Sequence, residues 1–395
     1  MNRRPDRAGA LIGLLAACAA VLPRASAQEQ TPLTPPHYDE PEQNAFDDYV
    51  RAGDLLPEWM RDRVGEAYSA DRYQPQDVRD ILDSCHEARA ALREGLPTRC
   101  LIPAGMDFST PLPYLAKFRD LARLLSVEGR NHEWQGEWDE AFGSYLDGLK
   151  LAQDTARRGA LIHKLVNIAC EKMLLKEVRA CVTEGKPDEP TLARLAGRLA
   201  ELKATEVPMS ETLLWEFSYM RGAVEDVMAN ADKYREADAG LNVDDILQAD
   251  LDESMGNVEA YFREAVARCG EPYPAYVGRP IDVPDDPISR ILLPALGKAI
   301  EKGVQAEAEF IATEAVVALE RYRLKHGQYP EELAQLVPGV LPDVPTDLFD
   351  DQPLKYARDG DRYFLYSVGP DATDDGGLVA PPGAEGEPAA DIAFP

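Results

Sequence analysis

The sequence predicts a mainly α protein in two parts: an N-terminal helical bundle or array over residues 44–271, then a small α+β unit over 287–377. Three observations carry this. From Asn44 to Cys269 the apolar residues recur every three or four positions with few alternating stretches, the signature of amphipathic helices. The stretch "PYPAYVGRPIDVPDDP" concentrates proline, which removes backbone donors and breaks helices, and so marks a linker at 272–286. Finally, "PLKYARDGDRYFLYSVG" alternates on both sides of Asp359-Gly360, a hairpin signal because both turn residues tolerate positive φ. A chain of 395 residues is long enough for two folded units plus tails, and 45% hydrophobic with 28% charged residues is a globular composition.

At the N-terminus, Arg3, Arg4 and Arg7 precede an apolar run from Ala8 to Leu22 and then Ala25-Ser26-Ala27, the layout of a secretory signal peptide over 1–27. The expected location is therefore periplasmic or secreted. A second reading stands beside it: Leu15-Ala16-Ala17-Cys18 resembles a bacterial lipobox, which would leave a lipoprotein anchored through Cys18 and bring the membrane in as a partner. Residues 28–43 are rich in proline and polar side chains and read as a flexible leader.

Helices are predicted at Asn44–Ala52, Gln76–Gly95, Pro111–Glu133, Trp138–Arg157, Ala160–Val182, Glu189–Ala204, Ser210–Arg235 and Met255–Cys269, separated by Gly, Pro and polar breaks. Among them, "GEWDEAFGSYLDGLKLAQ" (Gly136, Ala141, Tyr145, Leu149, Leu151) resembles the second half of a tetratricopeptide repeat, although no second copy follows at a 34-residue period. This makes the helical part weakly TPR-like, a helical hairpin inside a bundle. The acidic passage Glu236–Asn257 reads as a mobile loop with a solvated face. Asp286 is placed to cap a helix with Pro287 at its first position. From there Leu293, Leu296, Ile300, Val304, Ala308, Ile311, Ala315, Leu319 and Tyr322 form one apolar stripe on a long helix reaching Lys325, with a kink or late start at Pro294. Gly327 stops it, "YPEEL" starts a short helix, and 378–395 form an acidic, Pro-rich tail.

The net charge is −28, and loss of 1–27 removes four arginines and one aspartate, so the mature chain is more acidic still. Such a field repels phosphate backbones, which excludes nucleic acid as the expected partner. Cys85, Cys100, Cys170, Cys181 and Cys269 remain after the signal, an odd number without zinc-ligand spacing. A Cys85–Cys100 bridge and buried reduced thiols are the two readings. No catalytic signature appears: there is no Gly-x-Ser-x-Gly, phosphate loop, dinucleotide fingerprint or His-Glu-x-x-His. His132-Glu133 beside Trp134 and Trp138 is the best polar-aromatic cluster, read chiefly as packing and otherwise as the site of an envelope hydrolase.

Taken together, "ALERYRLKHGQYPEELAQLV", "PTDLFDDQPLKY" and "DRYFLYSVGPDATDDGG" resemble the C-terminal domain of the major pseudopilin of type II secretion. The upstream region is more loosely similar to exported proteins of planctomycete-type bacteria that carry such a module. The resemblance implies a long helix on a small antiparallel sheet and an Asp-rich loop that holds calcium, with Asp371 and Asp391 at the family's ligand positions. No prepilin-peptidase motif heads the helix, and Lys298, Glu301 and Lys302 interrupt it, so a reused scaffold is implied rather than a filament subunit. Read from the residues alone, Asp371, Thr373, Asp375, Gly376 and Leu378 satisfy five positions of a calcium loop, but Pro382 stands where the bidentate Glu belongs. The alternatives are a calcium site at Asp371, Thr373, Asp375 and Asp391, or a solvated acidic turn. The expected function is non-enzymatic: a binding or scaffold protein with a protein partner in the cell envelope. An adaptor or component of a type II secretion-like system is the first alternative.

Overall fold

The computed structural model describes residues 33–69, 75–104, 111–236, 243–294, 296–377 and 391–394. The predicted signal segment with Cys18, and Leu378 and Pro382, lie outside the described residues. Thr34–Pro395 form one compact unit.

The helices are α1 (Ala45–Asp54), α2 (Met60–Ser69), α3 (Pro75–Ser84), α4 (His86–Gly95), α5 (Pro113–Gln135), α6 (Trp138–Ala156), α7 (Leu161–Glu184), α8 (Glu189–Ala204), α9 (Met209–Ala229), α10 (Ala231–Glu236), α11 (Val243–Gln248), α12 (Leu251–Arg268), α13 (Pro287–Leu292) and α14 (Leu296–His326). Local chemistry sets many of their ends. The Asn44 side chain accepts from Phe46 N and also bridges Leu101, fixing where α1 starts. Gly136 closes α5 at φ +74°, the left-handed C-cap conformation that favours glycine. Asp286 accepts from Ser289 N at 2.9 Å with Pro287 at the first helical position, as the sequence indicates. Beyond Leu292 the chain breaks at Pro294 and restarts at Leu296, so the long helix is 31 residues, about 46 Å.

Glycine lets the central helices approach closely. A Cβ at Gly129 would lie 2.2 Å from the Tyr145 ring, and one at Gly148 would lie 2.8 Å from Leu174, so α5, α6 and α7 interlock ring against backbone. After Gly327 (φ +77°), a 3-10 turn at Leu333–Leu336 replaces the expected helix at "YPEEL"; Glu332 and Gln335 form its capping box. Strands β1 (Thr346–Asp347) and β2 (Gln352–Pro353) pair antiparallel, and β3 (Lys355–Asp359), β4 (Arg362–Ser367) and β5 (Ile392–Phe394) form an antiparallel sheet in that order. The β3–β4 loop is Gly360-Asp361, with only Gly360 at positive φ, the requirement of a turn with glycine at its first central position.

Several expectations give way. No break in the core falls at 272–286: one buried cluster runs from Ala45 and Phe118 through Leu174 and Leu195 to Phe310, Leu319, Leu365 and Phe394. The cause is α14, which is buried almost all round between Ala306 and Glu320 and packs on α7 and α8 as well as on β4 and β5. The expected helix Gln76–Gly95 is two helices, α3 and α4, parted at Cys85. The expected mobile passage 236–257 contains α11 and the start of α12, where Asp250 caps Glu253 N and Ile246 is buried. The described part of the leader is tied down: the Tyr38 hydroxyl donates to Glu211 at 2.5 Å, and Arg158 pairs with Glu40. The tail, likewise, returns a third strand to the sheet. Cys85, Cys100, Cys170, Cys181 and Cys269 are all free, and burial raises their thiol pKa values, which sets aside the Cys85–Cys100 bridge. Among the described residues no helix is long and apolar enough to cross a membrane.

Candidate functional site

The loop after β4 places the four predicted ligands as follows. Asp371 Oδ1 accepts from Thr373 N at 3.0 Å and the Thr373 hydroxyl turns back to Asp371 O, so these two close a local turn. Asp375 meets Asp391 through its backbone: Asp375 N and Gly377 N donate to Asp391 Oδ1 and Oδ2 at 3.3 and 2.6 Å. Asp391 is buried at the head of β5 and is thus brought to the loop, across the insertion that separates them in sequence. The neighbouring Asp374 accepts from Gly376 N and the Tyr366 hydroxyl, both at 3.0 Å. Among the described residues no group of three acidic, His or Cys side chains is arranged to hold a metal ion.

His132, Glu133 and Trp134 do not converge. His132 Nδ1 lies 2.7 Å from Glu137, the Tyr145 hydroxyl donates to Glu133, and Trp134 is 48% exposed. Burial is the main cause that lifts the Glu133 carboxyl above its ordinary range. His132 and Glu133 are thus engaged by different partners, and Trp134 stands in solvent.

A cleft of about 440 Å³ opens elsewhere, where the start of α9, the end of α12, the turn at Tyr273–Tyr276, the first turns of α14 and the loop at Leu348–Asp351 meet over α7. Lys164 forms part of its wall. This lysine is buried, with Nζ 3.1 Å from Glu206 Oε1 and 2.7 Å from Val207 O, an ion pair reinforced by a carbonyl. One and two turns further along the same face of α7 come Asn167 and Glu171, both buried. Apart from the Asn167 amide beside the Glu171 carboxyl, neither side chain has a hydrogen-bond partner. Gln153 on α6 shares this property. Burial pushes the Glu171 carboxyl up to about 8, with the Glu206 charge adding to the rise and Lys164 opposing it. The group thus holds its proton more tightly than an ordinary carboxyl does, beside a lysine–glutamate pair. Glu307, on the opposite wall, is also raised, first by burial and then by Glu206.

The mouth of this cleft is acidic. Glu271, Glu307 and Asp351 line it with Tyr273 and Tyr276, and among the described residues these three carboxylates form no ion pair with a lysine or arginine. The two lysines present are engaged, Lys164 by Glu206 and Lys203 by Glu314 at 3.2 Å.

Sequence reasoning missed the cleft. Lys164, Asn167 and Glu171 lie at i, i+3 and i+7, a pattern that ordinarily marks a solvated helix face. The available signal was the company they keep, since Leu161, Cys170, Leu174 and Leu175 leave the helix no wide polar side of its own.

Glu171 gives the fold a testable pH response. Its folded value of about 8 lies above the ordinary 4.5, so the native state holds a proton that the unfolded chain releases. The stability it contributes is full below about pH 4.5 and is lost as pH rises through 8, with a limiting slope of about 1.4 kcal/mol per pH unit. Glu171→Gln keeps the shape without the titration, so urea unfolding of this variant at pH 5 and pH 8 is expected to show a flatter pH dependence and higher stability than the parent at pH 8. Parallel pH dependences for parent and variant would exclude Glu171 as the source.

Compared with known protein families, curated proteins and solved structures, the chain finds no match, so the cleft and its chemistry are the guide to what it does.

Proposed function

We propose that this chain is an exported binding or scaffold protein of the cell envelope, and that its cleft takes a basic segment of a protein partner. One observation carries the proposal: Glu271, Glu307 and Asp351 line one cleft beside Tyr273 and Tyr276 and, among the described residues, pair with no lysine or arginine, while Arg268 stands 5.8 Å from the centroid of the Tyr276 ring. Three exposed carboxylates gathered at one cleft mouth repel one another and are relieved by an incoming positive charge. The strongly acidic chain adds long-range attraction for a basic partner.

In this reading the long helix with its antiparallel sheet serves as a pseudopilin-like module, and the α5–α6 hairpin as a TPR-like element of the support. The loop at Asp371–Gly377 enters as an acidic turn closed by Asp391, each of whose oxygens accepts one backbone N–H. The adaptor role in a type II secretion-like system is the special case in which the basic partner belongs to that machine.

The test replaces Tyr276 by a photoreactive phenylalanine analogue in the full chain, expressed in its native cells. Irradiation is expected to trap one envelope protein, with the adduct falling when Glu271 and Glu307 are both changed to Gln. The same probe at the 62%-exposed Phe364 of β4 serves as control. Equal adducts at both positions, or none at Tyr276, would remove the proposal.

A further inference from the structure

A second cavity has the opposite character. A groove of about 430 Å³ runs between α5 and α7, and its charged lining is Arg119, Arg123, Lys172, Lys176 and Arg179, with no carboxylate among the lining residues. Its floor is apolar, made by Ala169, Cys170 and Met173. Five cations gathered in one groove of a chain with net charge −28 repel one another without local compensation of equal size.

The compensation present is partial. Arg123 reaches the buried Asp120 at 3.3 Å, while Lys172 and Arg179 share Glu309 at 3.4 and 2.7 Å. Among the described residues Arg119 and Lys176 pair with no carboxylate. Arg179 is 6% exposed, and its Nε is a buried donor without a partner at the edge of the groove. A buried unpaired donor is costly, so this guanidinium is incompletely satisfied by the protein alone.

We infer that this groove is a binding site for a small phosphate-bearing molecule with an apolar portion. Helical spacing sets Arg119 and Arg123 on one wall and Lys172, Lys176 and Arg179 on the other, each row stepping about 6 Å per turn. Two arginine forks flanked by lysines match the oxygens of a phosphate, and two or more linked phosphoryl charges neutralise the cluster in a volume too small for several separate carboxylates. The volume is that of a small-ligand pocket. The source is a soluble molecule rather than a lipid surface, because the acidic body of the protein repels an anionic bilayer, whereas a small anion feels mainly the groove within a Debye length of about 10 Å.

The experiment is calorimetric titration of the mature chain with inorganic pyrophosphate at low ionic strength, beside an Arg119→Ala, Lys176→Ala variant. Both side chains are exposed, so the variant keeps the fold, which its melting temperature verifies. Saturable binding weakened at least about tenfold in the variant is the expected result. Co-sedimentation with phosphatidylglycerol vesicles, against phosphatidylcholine vesicles, forms the second arm. No saturation with pyrophosphate, equal affinity in parent and variant, or binding confined to the anionic vesicles would overturn the inference. Tyr276 and its carboxylates are untouched, so failure here leaves the partner cleft standing.

Discussion

Replacing Arg179 by Ala is expected to cost roughly 3–5 kcal/mol of unfolding free energy, the range for removing one partner of a buried ion pair. Arg179 ties three parts of the molecule together. Its Nη1 donates to the Thr313 hydroxyl at 2.8 Å, its Nη2 lies 2.7 Å from Glu309 Oε2, and its guanidinium sits 5.4 Å from the centroid of the Phe394 ring. The Glu309 contact is close but off the hydrogen-bonding direction, so the interaction is chiefly one of charge. In Arg179→Ala, Glu309 stays buried with only the solvent-facing Lys172 at 3.4 Å, and the end of β5 loses its cation. Urea unfolding measures the loss. The double variant Arg179→Met, Glu309→Gln removes both charges and is expected to recover at least half of it. If the single and double variants lose equal stability, stranded charge is not the cause.

Asp347→Ala is expected to cost a similar amount, on the order of 3–5 kcal/mol, because three donors lose their acceptor in one step. Asp347 is fully buried, with Oδ1 accepting from the Ser367 hydroxyl at 2.8 Å and Phe349 N at 3.1 Å and Oδ2 accepting from Val368 N at 2.8 Å. It joins β1, the turn after it and the end of β4. Burial lifts its pKa and the three hydrogen bonds oppose that rise, so the carboxylate is an acceptor held at a price in desolvation. Asn at this position supplies one oxygen and turns an amine toward a donor, so its cost falls between those of the parent and Ala. Amide exchange gives the local reading: Phe349 and Val368 N–H should exchange faster in Asp347→Ala, while amides of α6 follow only the global change. Unchanged exchange at both amides would show that Asp347 is not their acceptor in solution.

Much of the helical architecture was legible because its signals are local. Asp286-Pro287 announces the start of α13, Gly327 the end of α14, and Gly360 the β3–β4 turn, each through the φ or donor count of one or two residues. The two-part division failed for a reason visible in α14. Its larger apolar residues form one stripe, but Phe310, Thr313, Val316 and Val317 build a second face, and Ala306, Ala312 and Ala318 let neighbours close in around it. Strand β5 is three residues long and pairs with β4 across the intervening insertion, so no periodicity could announce it. The resemblance did point to Asp391, and the structure brings that residue to the loop, although it engages backbone amides. Lys164 and Glu171, like Arg119 and Lys176, each read as ordinary polar helix positions. Their meaning arises only where separate helices cross, which a linear pattern does not encode.

The shared position of α14 also governs the order in which the molecule can assemble. The ribosome makes α1 to α12 long before Phe310 and Leu319 exist, yet Leu174 and Leu195 lie in the same core as those late residues. Until more than three quarters of the polypeptide has been synthesised, the early helices have no lid for that greasy surface and fold only loosely. Were the N-terminal segment to direct export, as its sequence predicts, this delay would be useful: a translocation channel threads extended polypeptide, and a nascent chain that cannot lock shut early stays threadable until it has crossed.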